Sequence, residues 1–370
     1  YNALRGKYKL TTLEHRYGNL PLPSMEVVNL LEARNKRKIT GSFSHRLLEG
    51  IKAKLDIREQ VILFQNRRGY VPVLLCGTCG DSLECKNCDV TLTYHKHYHT
   101  LKCHLCGYTQ KPLAKCPSCK SDKMEMKGFG TEKIEEELKE IFPKHKIGRL
   151  DWDVTRTKGS HSRIIESFED GEIDILVGTQ MVAKGLDFKN VTLIGILNAD
   201  SMLRFPDFRA YERSYQMMAQ VGGRAGRTKN TGHVIIQSYD PKNRVLKDVM
   251  NYDYQNLYKQ EMAERSIFKY PPYTRIISIS IKHKFRPTLE PCARLLGIEL
   301  RKHFGSRILG PEYPPTARVR NQYIQNILIK LERENINLKA AKDLIVSTID
   351  EVKFNPNYRS CRFVIDVDPA

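Results

Sequence analysis

The sequence predicts an α/β fold that is interrupted by a cysteine-rich insert and followed by a small α+β domain. Three observations support this prediction. Apolar strands alternate with amphipathic helices between residues 121 and 242, which is the pattern of a parallel sheet covered by helices. Four Cys-x-x-Cys pairs precede that stretch and separate it from an earlier helix and strand. After a long helix that begins near residue 245, two helices and about four strands indicate a ferredoxin-like α+β domain.

Each element is predicted from the spacing of its apolar residues and from the turn residues at its ends. In the α/β part, the predicted strands are 61–64, 147–151, 173–177, 191–197 and 233–237, and the predicted helices are 44–55, 131–142, 160–169 and 210–221. After residue 243, the predicted helices are 245–266, 287–304 and 338–352, and the predicted strands are 275–282, 307–310, 317–320, 323–331 and 362–367.

The charge balance favours a polyanionic partner. The 370 residues carry 61 Lys and Arg against 42 Asp and Glu, which gives a formal net charge of +19. A basic surface of this size attracts nucleic acid first, and a merely soluble basic protein is the plainer alternative. No apolar run approaches the roughly 20 residues of a membrane helix, so we expect no membrane partner. Because the chain starts at Tyr1 rather than Met, we expect the native start to lie upstream.

Eight of the ten cysteines form the four Cys-x-x-Cys pairs. Four thiolates close a tetrahedral structural zinc site, and a two-residue gap lets one tight turn present both sulfurs to one ion. We therefore predict two structural Zn²⁺ ions, rather than disulfides or a redox dithiol, and a reducing, cytoplasmic location. The predicted ligands are Cys76, Cys79, Cys85, Cys88, Cys103, Cys106, Cys116 and Cys119.

The spacing between the pairs predicts which of them share an ion. Only five residues separate Cys79 from Cys85, whereas fourteen separate Cys88 from Cys103, which is close to zinc-ribbon spacing. We therefore predict an inner site made by the two middle pairs and an outer site made by the first and last pairs. Four histidines could substitute as ligands, although a solvated hairpin tip is the plainer interpretation: His95, His97, His99 and His104.

Two stretches of the α/β part carry chemistry. In the first, Gln220 precedes a Gly/Arg-rich turn in which Arg224 and Arg227 lie three residues apart and share one helical face. At a domain cleft, such an arginine can reach a γ-phosphate as an arginine finger, although a loop that contacts any phosphate is the alternative. The second stretch, 177–188, follows a strand, and functional residues gather at the carboxyl ends of parallel strands. In this stretch, Thr179, Gln180 and Lys184 are residue types that can bind DNA phosphates. Gly185 and Asp187 are residue types that can line a nucleotide cleft.

Together these stretches resemble motifs V and VI of superfamily 2 helicases. Residues 66–69, Asn-Arg-Arg-Gly, occupy the place of motif IV, and residues 130–132 with 149–153 match the next motif. Their order around a double-zinc insert resembles the PriA family of bacterial replication-restart helicases, also called primosomal protein N′. The resemblance extends over the whole chain and implies a RecA-like second helicase lobe.

The resemblance implies an ATP-dependent 3′-to-5′ DNA helicase that recognises stalled forks and assembles the primosome, with ATP and Mg²⁺ as cofactors. It implies forked and single-stranded DNA, single-stranded DNA-binding protein and replicative-helicase loading proteins as partners, in the cytoplasm at the nucleoid. The implied catalytic residues are Arg227, Arg224 and Gln220, and the implied nucleotide contacts are Gly185, Asp187, Arg224 and Arg227. The implied DNA contacts are Asn66, Arg67, Arg68, Thr179, Gln180 and Lys184, with Arg318, Arg320 and Lys330 as further candidates.

The resemblance also divides the chain into five segments. No Gly-x-x-x-x-Gly-Lys-Ser/Thr phosphate loop occurs, so we expect a C-terminal half that hydrolyses no ATP alone. A zinc-stapled, non-enzymatic DNA or protein adaptor and a branch-migration translocase are the two alternatives. The predicted segments are 1–45 (tail of lobe 1 and linker), 46–75 (start of lobe 2), 76–120 (zinc-binding insert), 121–242 (remainder of lobe 2) and 243–370 (helical connector and C-terminal DNA-binding domain).

Overall fold

The computed structural model describes residues 1–12, 20–66, 73–76, 78–79, 81–95, 99–103, 105–127, 130–151, 159–183, 188–205, 207–227, 231–333 and 337–369. The chain divides into two units. The first unit contains Tyr1–Val71 and Gly128–Glu261, and the second contains Pro72–Lys127 and Met262–Ala370. The cysteine-rich insert therefore groups with the C-terminal residues rather than with the sheet that it interrupts in sequence.

The strands and helices are numbered in chain order. The strands are β1 (Ser24–Asn29), β2 (Ile39–Thr40), β3 (Phe43–Ser44), β4 (Gln60–Phe64), β5 (Val73–Cys76), β6 (Thr93–His95), β7 (Thr100–Lys102), β8 (Thr109–Gln110), β9 (Met124–Lys127), β10 (Ile147–Leu150), β11 (Ile175–Gly178), β12 (Val191–Ile196), β13 (His233–Ser238), β14 (Thr274–His283), β15 (Ile308–Glu312), β16 (Arg318–Val319), β17 (Gln322–Glu332) and β18 (Arg362–Val367). The helices are α1 (Leu30–Asn35), α2 (His45–Asp56), α3 (Thr131–Ile141), α4 (Ser160–Glu169), α5 (Asp200–Leu203), α6 (Ala210–Gly222), α7 (Arg244–Met250), α8 (Tyr254–Ile267), α9 (Arg286–Phe304) and α10 (Leu338–Phe354).

The first unit is built on a six-stranded sheet in the order β1-β13-β12-β4-β11-β10, and every adjacent pair is parallel. Its strand residues alternate between two apolar clusters, one on each face. Val61 and Leu63 pack with α2 and α3, whereas Ile62 and Phe64 pack with α4, α6 and α7. Burial on both faces explains why these strands are almost continuously apolar. The α/β prediction is confirmed.

The first unit differs from the predicted segments at both ends. Ser24–Asn29, which we assigned to a tail and linker, forms the edge strand β1 and pairs with β13 in parallel register. The predicted helix 245–266 is two helices, because the chain turns at Tyr252 with φ of 54° and Asp253 caps the second helix through the Asn256 N–H. Val245 and Leu257 pack into the core of the first unit, so this connector belongs to that unit rather than to the C-terminal domain.

The C-terminal part of the second unit is an antiparallel sheet in the order β15-β17-β14-β18, with the short β16 paired to β17. Alternate residues of β14 and β17 face α9 and α10: Ile277, Ile279 and Ile281 pack with Leu296 and Ile345. The element order β-α-β-β-α-β with this strand order is the ferredoxin-like arrangement that the sequence predicts.

The insert contains little regular structure. β5 pairs with β9 at its base, and β6, β7 and β8 form a three-stranded meander. A small apolar cluster that includes Leu83, Leu92 and Leu101 is its core. So small a segment buries little apolar area, which is why cross-linking by metal is expected to stabilise it. Throughout the part of the chain that the structure describes, no helix has the length and apolarity needed to cross a membrane.

Candidate metal centres and motor residues

The eight clustered cysteines form two separate groups of four. Within each group the sulfur atoms all lie within 4.8 Å of one another. The predicted nested arrangement is the one observed: the inner cluster is Cys85, Cys88, Cys103 and Cys106, and the outer cluster is Cys76, Cys79, Cys116 and Cys119. The antiparallel pairing of β5 with β9 brings the two ends of the insert together and so places the first cysteine pair beside the last.

All four Cys-x-x-Cys turns share one backbone pattern. The N–H of the first cysteine donates to the carbonyl oxygen five residues later in every case, at distances between 2.8 and 2.9 Å. This repeated turn brings the two sulfurs of each pair to the same side, which a metal ion requires. The four bonds are Cys76 to Asp81, Cys85 to Val90, Cys103 to Tyr108 and Cys116 to Ser121.

The geometry of both clusters fits tetrahedral zinc. A Zn–S bond of about 2.3 Å implies that neighbouring sulfurs lie about 3.8 Å apart. The sulfurs of Cys76 and Cys119 are 3.5 Å apart, and those of Cys85 and Cys106 are 3.6 Å apart. All four ligands in each cluster are thiols, so neither cluster keeps the open position that catalytic zinc needs. The donor set is therefore that of structural zinc.

The thiols of the inner cluster differ in acidity, as close like charges require. Burial raises the pKa of Cys88 to about 12. Burial also acts to raise the pKa of Cys106, but the Tyr108 N–H and the neighbouring thiols outweigh it and lower that pKa to about 7. Four thiolates this close repel one another unless a divalent cation compensates their charge. The cluster is therefore suited to bind a dication and to release protons when it does.

The histidine alternative is not supported where the structure describes it. His99 Nδ1 is hydrogen-bonded to the Tyr94 hydroxyl at 2.6 Å. The candidate metal-binding groups found among the described residues contain cysteines alone. The side chains of His95, His97 and His104 lie outside the described residues.

Three predicted DNA-contact residues lie at the carboxyl edge of the parallel sheet. Asn66 follows β4, and Thr179 and Gln180 follow the neighbouring β11. The Gln65 N–H donates to the Gly178 carbonyl at 2.9 Å, so the two strand ends are joined directly. Asn66 and Thr179 are buried, whereas Gln180 is half-buried at the start of a 3-10 helix. Arg67, Arg68, Lys184, Gly185 and Asp187 lie outside the described residues.

A third strand adds a polar pair to this edge that the sequence reasoning assigned to no role. The Thr131 hydroxyl, at the start of α3, donates to Asp151 Oδ2, directly after β10. Both side chains are buried. The helix N-cap is Gly130, so Thr131 uses its hydroxyl across the sheet edge rather than on its own helix. Both residues lie in the two stretches, 130–132 and 149–153, that match a helicase motif, and Asp151 also stands at the end of a predicted strand.

The arginine stretch lies at the opposite end of the sheet. The Gly226 N–H donates at 2.9 Å to the carbonyl of Val191, the first residue of β12. α6 ends at Gly222, and Gly226 has a φ of 62°, which L-residues rarely adopt. Arg224 and Arg227 therefore follow the helix in turns instead of sharing a helical face, which corrects the sequence-based expectation.

The individual side chains of this stretch differ in exposure. Gln220 is exposed near the end of α6, whereas Arg224 and Arg227 are half-buried. Arg227 Nε donates to the Gly223 carbonyl at 3.2 Å, which folds its guanidinium back over the helix end. The stretch is thus an ordered turn in which the Arg227 side chain is held close to the backbone.

The three further DNA-contact candidates of the C-terminal domain have partners within the second unit. Arg318 Nε lies 2.9 Å from Asp89 Oδ1, and Arg320 Nε donates to the Leu105 carbonyl at 3.2 Å. Lys330 Nζ lies 3.7 Å from the centroid of the Tyr270 ring, and burial lowers its pKa. These three cations contribute to folding contacts, so the structure does not favour them as DNA contacts.

Comparison with known proteins places this architecture in a class. The family model described as "Helicase conserved C-terminal domain" matches residues 114–229. The model described as "PriA DNA helicase Cys-rich region (CRR) domain" matches residues 85–111. "Primosomal protein N C-terminal domain" matches residues 266–370. The chain is therefore a helicase C-terminal lobe that carries a zinc-ribbon insert and a C-terminal sheet domain.

Curated relatives narrow the class to a family. "Replication restart protein PriA" of Bacillus subtilis is 37% identical over 370 residues, covering 99% of this chain and 45% of the relative. The proteins of the same name from Chlamydia pneumoniae and Rickettsia felis are 37% and 36% identical, and this chain covers 49% and 56% of them. The chain belongs to the PriA family of replication restart proteins. It spans about half the length of the curated relatives it matches.

Proposed function

We propose that this chain supplies the second motor lobe, the zinc ribbon and the C-terminal domain of an ATP-dependent 3′-to-5′ DNA helicase that restarts stalled replication forks. The observation that carries the proposal is the anchoring of the Arg224–Arg227 turn to the first residue of β12, while Asn66, Thr179 and Gln180 occupy the opposite edge. This separation supports the proposal that the arginine turn serves a nucleotide and that Asn66, Thr179 and Gln180 serve a DNA strand.

The proposed nucleotide site is shared with a first motor lobe. The present sequence holds no phosphate loop, so its residues fit one side of an ATP–Mg²⁺ site only. Arg227 is proposed as the arginine finger, and Arg224 and Gln220 are proposed to support it. Bound ATP would supply the phosphoryl chemistry, and an arginine that stabilises its transition state typically accounts for about 10³ to 10⁵ in rate. Gly185 and Asp187 are proposed as further nucleotide contacts.

The proposed strand contacts use the carboxyl edge of the sheet. Asn66, Thr179 and Gln180, with Arg67, Arg68 and Lys184, would bind the DNA backbone, and opening and closing of the two lobes would move them along a strand. Both metal clusters are proposed to hold structural zinc, because eight thiolates leave no ligand position for water. The ribbon would then serve strand separation or partner binding rather than chemistry.

The proposed setting is the bacterial replication fork. Forked and single-stranded DNA, single-stranded DNA-binding protein, and the primosome and helicase-loading proteins are the proposed partners. A net charge of +19 supports a polyanionic partner. Thiols arranged for metal binding support a reducing compartment, and we therefore propose a cytoplasmic protein associated with the nucleoid.

DNA-stimulated ATP hydrolysis by the native gene product tests this proposal. Arg227→Ala is expected to lower the rate about 10³-fold with DNA affinity retained. Arg163→Ala, on the exposed side of α4, is the matched control and should leave the rate unchanged. Full activity of the Arg227→Ala protein would instead favour the alternative function, a zinc-stapled adaptor that binds DNA or protein without turnover.

A further inference from the structure

A hairpin of the C-terminal sheet lies against the inner cysteine cluster, within the second unit. The hairpin joins β16 to β17, with Val319 paired to Gln322. Its two turn residues, Arg320 and Asn321, have φ values of 52° and 59°. This is the two-residue turn geometry that fits the twist of a β-hairpin. Val319 packs against the apolar core of the insert.

The tip of the hairpin makes backbone contacts with the cysteine turn that holds Cys88. The Arg320 N–H donates to Cys88 Sγ at 3.2 Å, and the Asn321 N–H donates to the Asn87 carbonyl at 2.8 Å. These two contacts join the hairpin tip directly to a predicted metal ligand and to the residue before it.

The flanking residues close the contact from both sides. The Asp89 N–H donates to the Arg318 carbonyl at 2.9 Å, and the Arg318 guanidinium pairs with the Asp89 carboxylate at 2.9 Å. On the other side, Arg320 Nε reaches the carbonyl of Leu105, which lies between the second pair of inner cysteines. The hairpin thus contacts both halves of the inner cluster.

The hairpin turn requires a positive φ at Arg320, and the contacts with the cysteine turn help to hold it there. A non-glycine residue at positive φ is unfavourable, and it persists where its surroundings over-determine it. Arginine has no short side chain that could stabilise this conformation locally, unlike asparagine at the next position. The metal cluster and the hairpin therefore hold each other in place.

We propose that the Arg320–Asn321 turn is a positioning element of the inner metal site, and that metal bound there locks the insert onto the C-terminal sheet. The outer cluster differs, because Cys79 and Cys119 are exposed and its described backbone donors belong to the insert itself. The two metals are consequently inequivalent. The outer metal exchanges first, and loss of the inner metal releases the hairpin. This inference rests on the proposed zinc occupancy of both clusters.

Two substitutions at one position separate the backbone donor from the side chain. Arg320→Gly keeps the N–H and suits positive φ, whereas Arg320→Pro removes the N–H and is incompatible with that φ. Zinc transfer from the full chain to a chromogenic chelator is followed over time. We expect Arg320→Pro to accelerate the slow, inner phase about tenfold or more and to leave the fast phase unchanged, with Arg320→Gly close to wild type. An unchanged slow phase in a folded Arg320→Pro protein overturns the proposal.

Amide hydrogen exchange gives a second test that does not need a substitution in the hairpin. We expect residues 318–322 to lose protection when the inner metal is removed, and to keep it in Cys119→Ser, which lacks the outer site. Equal exchange of this hairpin in the loaded and metal-free chains contradicts the proposal. Metal content is measured on the same samples: fewer than two metals in wild type refutes the zinc assignment, whereas two metals with unchanged hairpin exchange refutes only the coupling.

Discussion

The sulfur atoms of Cys76 and Cys119 lie 3.5 Å apart, although the two residues are 43 positions apart in the chain. The strands β5 and β9 produce this proximity, because they pair antiparallel at the base of the insert with Cys76 opposite Met124. The outer cluster therefore joins the two ends of the insert, where the chain leaves the first unit and returns to it. The inner cluster cross-links the loop between them.

The two clusters should lose their metals independently. Cys119→Ser is expected to remove the outer metal and Cys106→Ser the inner one, so that each variant keeps about one zinc of two. Elemental analysis of the purified chain measures this directly. Cys292→Ala, at a buried cysteine of the C-terminal core, serves as the control and should keep both metals. Loss of both metals from either serine variant would argue against two separate sites.

The C-terminal domain should lose stability in acid, because protonation of Glu332 removes its contact with Arg307. Arg307 Nε lies 2.6 Å from the Glu332 carboxylate, and this hydrogen bond, assisted by Lys269, lowers its pKa to about 2. Because the folded pKa lies below the ordinary value, the stabilisation is present above about pH 4 and disappears as the pH falls through about 2. With screening at a partly exposed site, its size at neutral pH is about 1 kcal/mol.

Denaturant unfolding of Glu332→Gln measures this contribution. We expect the difference from wild type to be present at pH 7 and to vanish near pH 2. Glu351→Gln, at an exposed carboxyl of α10, is the matched control and should change little at either pH. A difference that is independent of pH would mean that shape, rather than charge, accounts for the effect.

The backbone conformation at Gly226 should affect the rate of DNA-stimulated ATP hydrolysis. A β-carbon at its φ of 62° costs about 1 kcal/mol and strains the turn that carries Arg227. Gly171, with a φ of 77° and open space around its position, offers the same backbone cost far from the arginines in sequence. Gly226→Ala and Gly171→Ala should therefore lose similar stability in thermal unfolding.

Their activities should differ. In the native gene product, Gly226→Ala is expected to lower DNA-stimulated ATP hydrolysis by about tenfold or more, because Arg227 must be placed accurately to act. Gly171→Ala should retain the wild-type rate. Equal rates in the two variants would show that the turn has no role in turnover.

The chain by itself should bind DNA without turning over ATP. Its excess of basic residues supplies the phosphate contacts, so binding of a forked DNA should weaken steeply as salt rises. Because the proposed nucleotide site is shared with a first lobe, this chain alone should hydrolyse ATP only at background rate. Fluorescence anisotropy at several salt concentrations and a phosphate-release assay on the same preparation measure the two properties. Robust turnover by a clean preparation would overturn the assignment of this lobe.

Much of the fold was predictable because its signals are local. The strand and helix periods of the parallel sheet follow from burial on two faces, and β4, β11 and β12 lie within about two residues of their predicted bounds. Edge strand β1 was missed, since Ser24–Asn29 contains a serine, a glutamate and an asparagine among its six residues and pairs on one side only. The break between α7 and α8 was missed because no glycine or proline marks it; the local signals are Asn251, which caps the end of α7, and Asp253, which caps the start of α8.

The sequence alone determined that the chain holds two four-cysteine sites and how they are nested, and it predicts motor motifs next to the strands. Ligand spacing and strand ends are short-range properties, so they can be inferred from residues a few positions apart. Only the tertiary structure decided that the insert groups with the C-terminal sheet, that Arg318, Arg320 and Lys330 are engaged in folding contacts, and that α6 ends before its arginines. Those outcomes depend on contacts between residues hundreds of positions apart, such as Cys88 and Arg320, whose energies no local pattern encodes.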